Sequence, residues 1–314
     1  AIGERIQPTL LEMTMNRWPA RPHVGTSFYK AHGLGNDYLV FREGSGWCAT
    51  PDAIRAVCDR HRGIGSDGVV VLLANQDDDL LRLRMFNPDG SEFERSGNGL
   101  RILASYLARE GLAGVEPFAV EVGGALVEMT VHGVQGSTYD VSADMGRCYV
   151  GPEAVGLNQS ALDEHGGFAG PDGAPLHVVP VSVGNPHLVA LVPEATEALL
   201  ESIGPFLSSH AALSEGANVQ LATPCGPGHV RALIWERGVG RTSASGTSAC
   251  AVAIAAVAEG LMEAGDVNVE MPGGSLVVSV TSEYDTVLRG PVEEILSGQL
   301  ATEWVSRLAP PTGN

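Results

Sequence analysis

The sequence has 314 residues, of which 37 are acidic and 19 basic, giving a net charge of −18 with 44% hydrophobic residues and 40 glycines. That length fits one large domain or two medium ones with ample core, and the acidity opposes a nucleic-acid backbone or an anionic membrane as partner, because both require a basic face. Only one of the basic residues is a lysine, Lys30, set in Tyr29-Lys30-Ala31-His32; that context suits neither a Schiff-base lysine nor a Gly-Lys-Ser/Thr phosphate loop, which excludes pyridoxal-phosphate chemistry and P-loop nucleotide hydrolysis.

In chain order, residues 1–27 read as an N-terminal extension with no signal-peptide core. The regular pattern starts at Phe28. Runs rich in β-branched residues at 38–41, 69–73, 81–86, 120–122 and 126–131 predict strands between glycine-marked turns. Helices are predicted over 51–60, with Thr50 as N-cap, and over 99–109, directly after Ser96-Gly97-Asn98. Residues 139–141 are strand-like, and 142–146 are read as a domain crossover. The stretch 148–176, rich in Gly, Pro and Asp, is read as loop. Further strands are predicted at 177–183, 188–192, 230–234, 267–271 and 276–280, and helices at 194–209 and 248–259. The segments 287–290 and 293–300, separated by Pro291, read as a last strand pair returning to the first domain. The five cysteines, Cys48, Cys58, Cys148, Cys225 and Cys250, are odd in number with no C-x-x-C pair, which argues against a disulfide scaffold or a zinc site. The apolar runs at 69–74 and 250–258 are too short to span a bilayer. The expectation is a soluble cytoplasmic protein.

Each half carries a strand, a glycine-rich loop with a serine, and a helix opening on small residues. Ser96-Gly97-Asn98-Gly99 alone reads as an ordinary N-cap; its functional reading is a helix start whose free N–H groups hold a carboxylate while the hydroxyl faces the ligand. The arrangement recurs at Ser245-Gly246-Thr247, so that two helix starts facing each other would converge on one anion. Neither loop matches a dinucleotide fingerprint or a nucleophile elbow. Asn36, Asn87, Asn185 and Asn218 sit at strand ends or turns. Asparagine is common there, yet four in apolar or glycine-rich settings suggest a neutral polar pocket for a zwitterion. Glu236-Arg237-Gly238 supplies one charge for each end of an amino acid, or else a surface ion pair of little worth.

Phe28-Tyr29-Lys30-Ala31-His32-Gly33-Leu34-Gly35-Asn36-Asp37 resembles the opening of the diaminopimelate epimerase family. The resemblance continues through Asp59-Arg60-His61-Arg62-Gly63-Ile64-Gly65-Ser66-Asp67-Gly68, Met85-Phe86-Asn87-Pro88-Asp89-Gly90-Ser91, Gly184-Asn185-Pro186-His187, Trp235-Glu236-Arg237-Gly238-Val239-Gly240 and Met271-Pro272-Gly273-Gly274, and runs from about residue 28 to about residue 300. It implies an α+β fold of two pseudo-symmetric domains, each a β-sheet wrapped around a central helix. The first domain would span 28–141 with 286–305, and the second 142–285. It implies epimerisation of an amino acid at Cα without cofactor or metal, with LL-/meso-diaminopimelate of lysine biosynthesis as the default substrate. A small amino acid is the implied partner, with no nucleic acid and no membrane, and a homodimer is an open assembly.

Carried over position by position, the resemblance implies substrate contacts from Asn36, Asn87, Gly97, Asn98, Asn185, Asn218, Glu236, Arg237, Gly246 and Thr247. The family's two catalytic cysteines fall on Ser96 and Ser245, with His187 implied beside Ser96 and Glu236 beside Ser245; Cys250 matches a further cysteine that is not the base. Leu100, Ile102, Arg241 and Ser248 depart from the family's usual residues as well, which reads as natural divergence of the whole site. Epimerisation needs a base on one face of Cα and an acid on the other. A thiol, with an ordinary pKa of about 8.5, suits both roles. A hydroxyl is several units less acidic, at about 1.4 kcal/mol per unit, so the serines fit as neutral donors or as relays activated by His187 or Glu236. Two rival readings stay open. One is a divergent isomerase or racemase on another amino acid or related acid; the other is a non-catalytic ligand-binding paralogue. A serine hydrolase has no supporting acid–His–Ser order.

Overall fold

A computed structural model describes residues 20–74, 80–93, 96–162 and 167–308; most of the expected N-terminal extension, 1–19, lies outside the described residues. Strands β1 (His23–Gly33), β2 (Asn36–Glu43), β3 (Trp47–Cys48), β4 (Gly68–Leu72), β5 (Leu81–Phe86), β6 (Glu92–Phe93), β7 (Phe118–Val122), β8 (Ala125–Gln135) and β9 (Thr138–Arg147) come first, with helix α1 (Pro51–Cys58) after β3 and α2 (Gly97–Arg109) after β6. Then follow β10 (Tyr149–Val150), β11 (Phe168–Ala169), β12 (Pro175–Leu176), β13 (Val178–Ser182), β14 (Pro186–Leu191), β15 (Asn218–Gly226), β16 (His229–Glu236), β17 (Gly240–Thr242), β18 (Gly265–Met271), β19 (Gly274–Val280) and β20 (Asp285–Gln299). Helix α3 (Glu197–Ser208) follows β14, α4 (Gly246–Ala258) follows β17, and α5 (Thr302–Val305) is last. The first strand thus begins at His23, ahead of the Phe28 read from the pattern.

Strands β1, β2, β4, β5, β7, β8, β9 and β20 pair in that order, and β20 returns to β1, closing an eight-stranded barrel. Along it the pairs β2–β4 and β5–β7 are parallel and the others antiparallel. The second series repeats the sequence of pairings through β13, β14, β15, β16, β18, β19 and β20, with β14–β15 and β16–β18 parallel. The molecule is therefore a sheet-dominated α+β structure with few helices.

Helix α1 starts where Thr50 accepts a hydrogen bond from the Ala53 N–H at 3.2 Å and Pro51 fills a first-turn position that needs no donor. It stops short of the expected residue 60, because Asp59 draws the N–H groups of His61 and Arg62 onto its carboxylate, each at 2.8 Å. β4 is buried on both faces. Val70 and Leu72 pack in the cluster that holds α2, and Val69 and Val71 in the one that holds α1, as the two-residue period of a strand requires. Helices α2 and α4 are buried along most of their length. α2 packs against β1, β2, β4, β8, β9 and β20, and α4 against β13–β16 and β18–β20. The run of alanines in α4 keeps that approach close. Each fully buried Val or Leu contributes about 1.5–3 kcal/mol, so these clusters outweigh exposed ion pairs such as Arg289–Asp140, worth about 0–1 kcal/mol.

Four readings of the sequence are corrected. Residues 142–146 continue a strand rather than starting a turn: β9 runs unbroken to Arg147, because β20 pairs along its whole length. The stretch 148–176 contains β10, two short 3-10 turns and the β11–β12 hairpin among its described residues. β15 was not anticipated. The last strand pair is a single strand, β20. Its Pro291 lies where the second neighbour changes from β19, paired at 286–289, to β1, paired from 293 onward, so no second neighbour calls on the missing N–H. No helix among the described residues is long and apolar enough to cross a membrane.

Gly63 closes the turn after α1. A Cβ there would lie 2.1 Å from the Ala56 carbonyl oxygen and 2.7 Å from that of Val57, both rigid backbone. Gly63→Ala is expected to lower stability by about 1–3 kcal/mol, seen as a lower midpoint in urea unfolding at unchanged slope.

Candidate active site

Helices α2 and α4 start against each other. A Cβ built on Gly246 would lie 3.7 Å from the Cα of Gly97, and one built on either glycine would lie 2.8 Å from Leu288 Cδ2 of the shared strand β20. Close approach to the buried Leu288, rather than an unusual φ, is what favours glycine here. Both starts line one cleft of about 1220 Å³. Ser96 caps α2 by accepting from the Gly99 N–H at 3.1 Å, and Ser245 caps α4 by accepting from the Ser248 N–H at 3.5 Å. The amides of Gly97, Asn98, Gly246 and Thr247, all in the cleft wall, precede the first intrahelical bonds and have no acceptor within their own helices. Their positive helix ends favour an anion between them.

Among the sequence-derived residues, Asn36, Asn87, Ser96, Gly97, Asn98, Asn185, Glu236, Arg237, Ser245, Gly246 and Thr247 line the cleft. Asn36 donates to Asp67 at 3.2 Å and accepts from Asn98 at 2.9 Å. The Asn98 carbonyl oxygen in turn accepts from the fully buried Arg101, which also donates to the Pro291 carbonyl at 3.0 Å. Asn87 donates to Ser91 Oγ within its own turn. Arg237 is exposed and its Nη1 donates to the Glu215 carbonyl at 2.8 Å.

Two of the expected site residues lie elsewhere. Asn218 is absent from the cleft wall; its carbonyl oxygen accepts the Arg237 backbone N–H at 3.0 Å and so holds the turn that presents Arg237. His187 is fully buried behind the wall. Its Nε2 is 2.9 Å from Asn185 Oδ1 and its Nδ1 is 3.0 Å from Gln220 Nε2. Burial holds its pKa down at about 3, so the ring is neutral and both nitrogens are occupied. The expected activation of Ser96 by His187 is not what this geometry offers.

Other groups reach the cleft that the sequence did not single out. Tyr38 hydrogen-bonds to Ser96, and burial pushes its phenol up to about 12. Asp67 is pushed up by burial and by the neighbouring Asp37 carboxyl. Burial also opposes ionisation of Asp37, but hydrogen bonds from Arg60 and Lys30 outweigh it and hold that carboxyl at about 2. Lys30, 2.9 Å from Asp37 and 2.7 Å from the Gly65 carbonyl, is thus spent on fixing the loop that carries Asp67. Burial raises the pKa of Glu236, with its Oε1 accepting from Thr242 at 2.9 Å. The available signal was the place of Asp67 inside a matched motif and of Tyr38 directly after one. Among the described residues no cluster of three or more His, Cys, Asp or Glu side chains is arranged to hold a metal ion.

This fold is shared with solved racemases and epimerases. A predicted epimerase from Pseudomonas aeruginosa aligns with a TM-score of 0.61 at 19% identity, covering 88% of this chain and 99% of that one. A probable proline racemase from Agrobacterium radiobacter, solved with carbonate bound, gives 0.59 at 18% identity over 88% and 93% of the two chains. At closer range, the diaminopimelate epimerase of Desulforudis audaxviator is 38% identical over 275 residues, covering 87% of this chain and 98% of that protein. The family profile described as diaminopimelate epimerase matches residues 28–150 and 179–295. The chain belongs to the diaminopimelate epimerase family and is an isomerase.

Proposed function

We propose that the chain epimerises an amino acid at Cα in this cleft, with LL-/meso-diaminopimelate as substrate and without a cofactor. In this reading each pseudo-symmetric domain is a sheet around a central helix, the first spanning 28–141 with 286–305 and the second 142–285. The observation that carries it is the pair of serine-capped helix starts opening on one cleft. The substrate carboxylate lies between the amides of Gly97, Asn98, Gly246 and Thr247, which also stabilise the negative charge that moves onto it when Cα loses its proton. Ser96 and Ser245 flank the two faces of Cα. Glu236, its proton affinity raised by burial, takes the Cα proton on one side as general base, with Ser245 as its relay. On the other side Ser96 gives its hydroxyl proton to Cα and takes one from Tyr38, hydrogen-bonded to it; the phenol regains a proton from water as Glu236 releases the one it took. Reversal exchanges the roles. Arg237, Asn87 and Asn185 hold the distal half of the substrate, and Asn36 and Asn98 orient the reacting half. The net charge of −18 supports a reading without a nucleic-acid partner, and sedimentation tests the homodimer.

A second reading, a binding protein that keeps the pocket without the chemistry, is favoured by one feature: both serine hydroxyls already serve as caps. One experiment separates the two. In D₂O the purified chain is expected to place deuterium at Cα of LL-diaminopimelate, read as a one-mass-unit gain. Binding with no incorporation, in protein whose circular dichroism shows an intact fold, would sink the epimerase reading.

A further inference from the structure

Gln220 is the third residue of β15, within the buried first half of that strand. Its neighbours Val219 and Leu221 face the clusters beside α3, and Gln220 points the other way, toward α4. A fully buried amide is costly unless its hydrogen bonds are made. Gln220 Nε2 is 3.0 Å from Ser248 Oγ, on the first turn of α4, and 3.0 Å from His187 Nδ1. His187 Nε2 continues to Asn185 Oδ1 at 2.9 Å. Ser248, Gln220 and His187 are all buried, while Asn185 stands in the cleft wall. One line of hydrogen bonds thus runs from the core to the cleft.

We infer that Ser248, Gln220 and His187 form a buried directional relay that holds the Asn185 amide with its N–H edge toward the cleft, so that the ligand group seated there is a hydrogen-bond acceptor such as a carboxylate oxygen. The direction follows from counting donors. As placed, both Gln220 N–H groups have acceptors, and only its Oε1 lacks a partner. Turning the amide over would satisfy Oε1 from the Ser248 hydroxyl and a His187 Nδ1–H, but would strand both N–H groups in the core. Buried donors are rarely orphaned, whereas a carbonyl with unmet capacity is better tolerated. Gln220 therefore donates, His187 Nδ1 accepts, and the single proton of the neutral ring sits on Nε2. That proton occupies Asn185 Oδ1 and leaves its NH₂ for the ligand. These are positioning residues; none of the three lines the cleft. Ser248 is what uses the second Gln220 donor, and without it the reversed direction loses less.

The relay rests on the epimerase reading only for the choice of ligand, so the test has one readout that needs no ligand. In the full chain at pH 7, long-range proton–nitrogen NMR of the His187 ring is expected to show the neutral Nε2–H form. Gln220→Glu, which offers only acceptors, is expected to draw the proton to Nδ1 and turn the Asn185 carbonyl toward the cleft. In steady-state assays with LL-diaminopimelate it should then raise KM about tenfold or more while kcat changes less than about threefold, since a site built to donate rejects a misoriented partner. If that variant does not fold, Ser248→Ala supplies the same test, with both ring tautomers expected and a smaller rise in KM. A wild-type ring protonated on Nδ1, or a Ser248→Ala protein with both ring signals and KM unchanged, would overturn the relay. The expected tautomers in a chain that does not process LL-diaminopimelate would support the relay and count against the substrate alone.

Discussion

Thiols at both helix starts, Ser96→Cys together with Ser245→Cys, are expected to raise diaminopimelate epimerase activity by about 10²–10⁴-fold, the scale of a well-placed acid–base group. Each cap sits at the positive end of a buried helix, which lowers the pKa of a thiol from its ordinary value of about 8.5. A hydroxyl gains nothing comparable, because it starts several units further from neutrality. The effect should need both changes, since one face takes the proton and the other returns it, and groups acting as a unit do not add. Solvent deuterium incorporation into LL-diaminopimelate by the wild type, each single variant and the double variant measures it. A double variant no faster than either single one would show that Cα does not lie between these two positions. If the serines carry the natural reaction themselves, either Ser→Ala variant slows it.

Arg237→Ala is expected to weaken binding of LL-diaminopimelate by about 1.5–3 kcal/mol, roughly tenfold to 150-fold. Among the described residues of the cleft wall Arg237 is the one arginine or lysine, against Asp67, Glu92, Glu215 and Glu236. Asp67 and Glu92 have their own arginines, Arg60 and Arg84. Removing Arg237 leaves an entering carboxylate facing acidic walls with no full positive charge among their described residues. The side chain is exposed and bonded only to carbonyls of the neighbouring loop, so the fold should survive its loss. Titration calorimetry showing unchanged affinity would take Arg237 out of the site.

The helix starts were legible because their signal is local and repeated: a serine, a glycine and then small residues, once in each half. Strands such as β5 were legible because alternating apolar residues ended at clear turns. β15 escaped notice because Gln220 interrupts its apolar run and Thr223-Pro224-Cys225-Gly226 reads as a turn, although β14 and β16 pair with it on both sides. β9 was cut short for a similar reason. Ser142, Asp144 and Gly146 have poor strand propensity, and the hydrogen bonds that override it come from β20, far along the chain. The surroundings of His187 were not legible because a resemblance that sets it near Ser96 says nothing of burial, and it is burial that removes its charge. The charge cluster around Asp37 was invisible for the same reason: Lys30, Arg60 and Asp67 meet only in three dimensions.

Strand β20 has a consequence in time. It pairs with β1 and β9 on the way to closing the first barrel and with β19 in the second series, so that Ala31 meets Glu294 across more than 250 residues of sequence. A ribosome delivers the N-terminal residues first, yet β1 and β9 wait with open edges until 285–299 have emerged. Neither half can reach its final pairing before then, and long-range pairing of this kind is slow. The nascent protein is thus most exposed to wrong strand partners just before 285–299 become available.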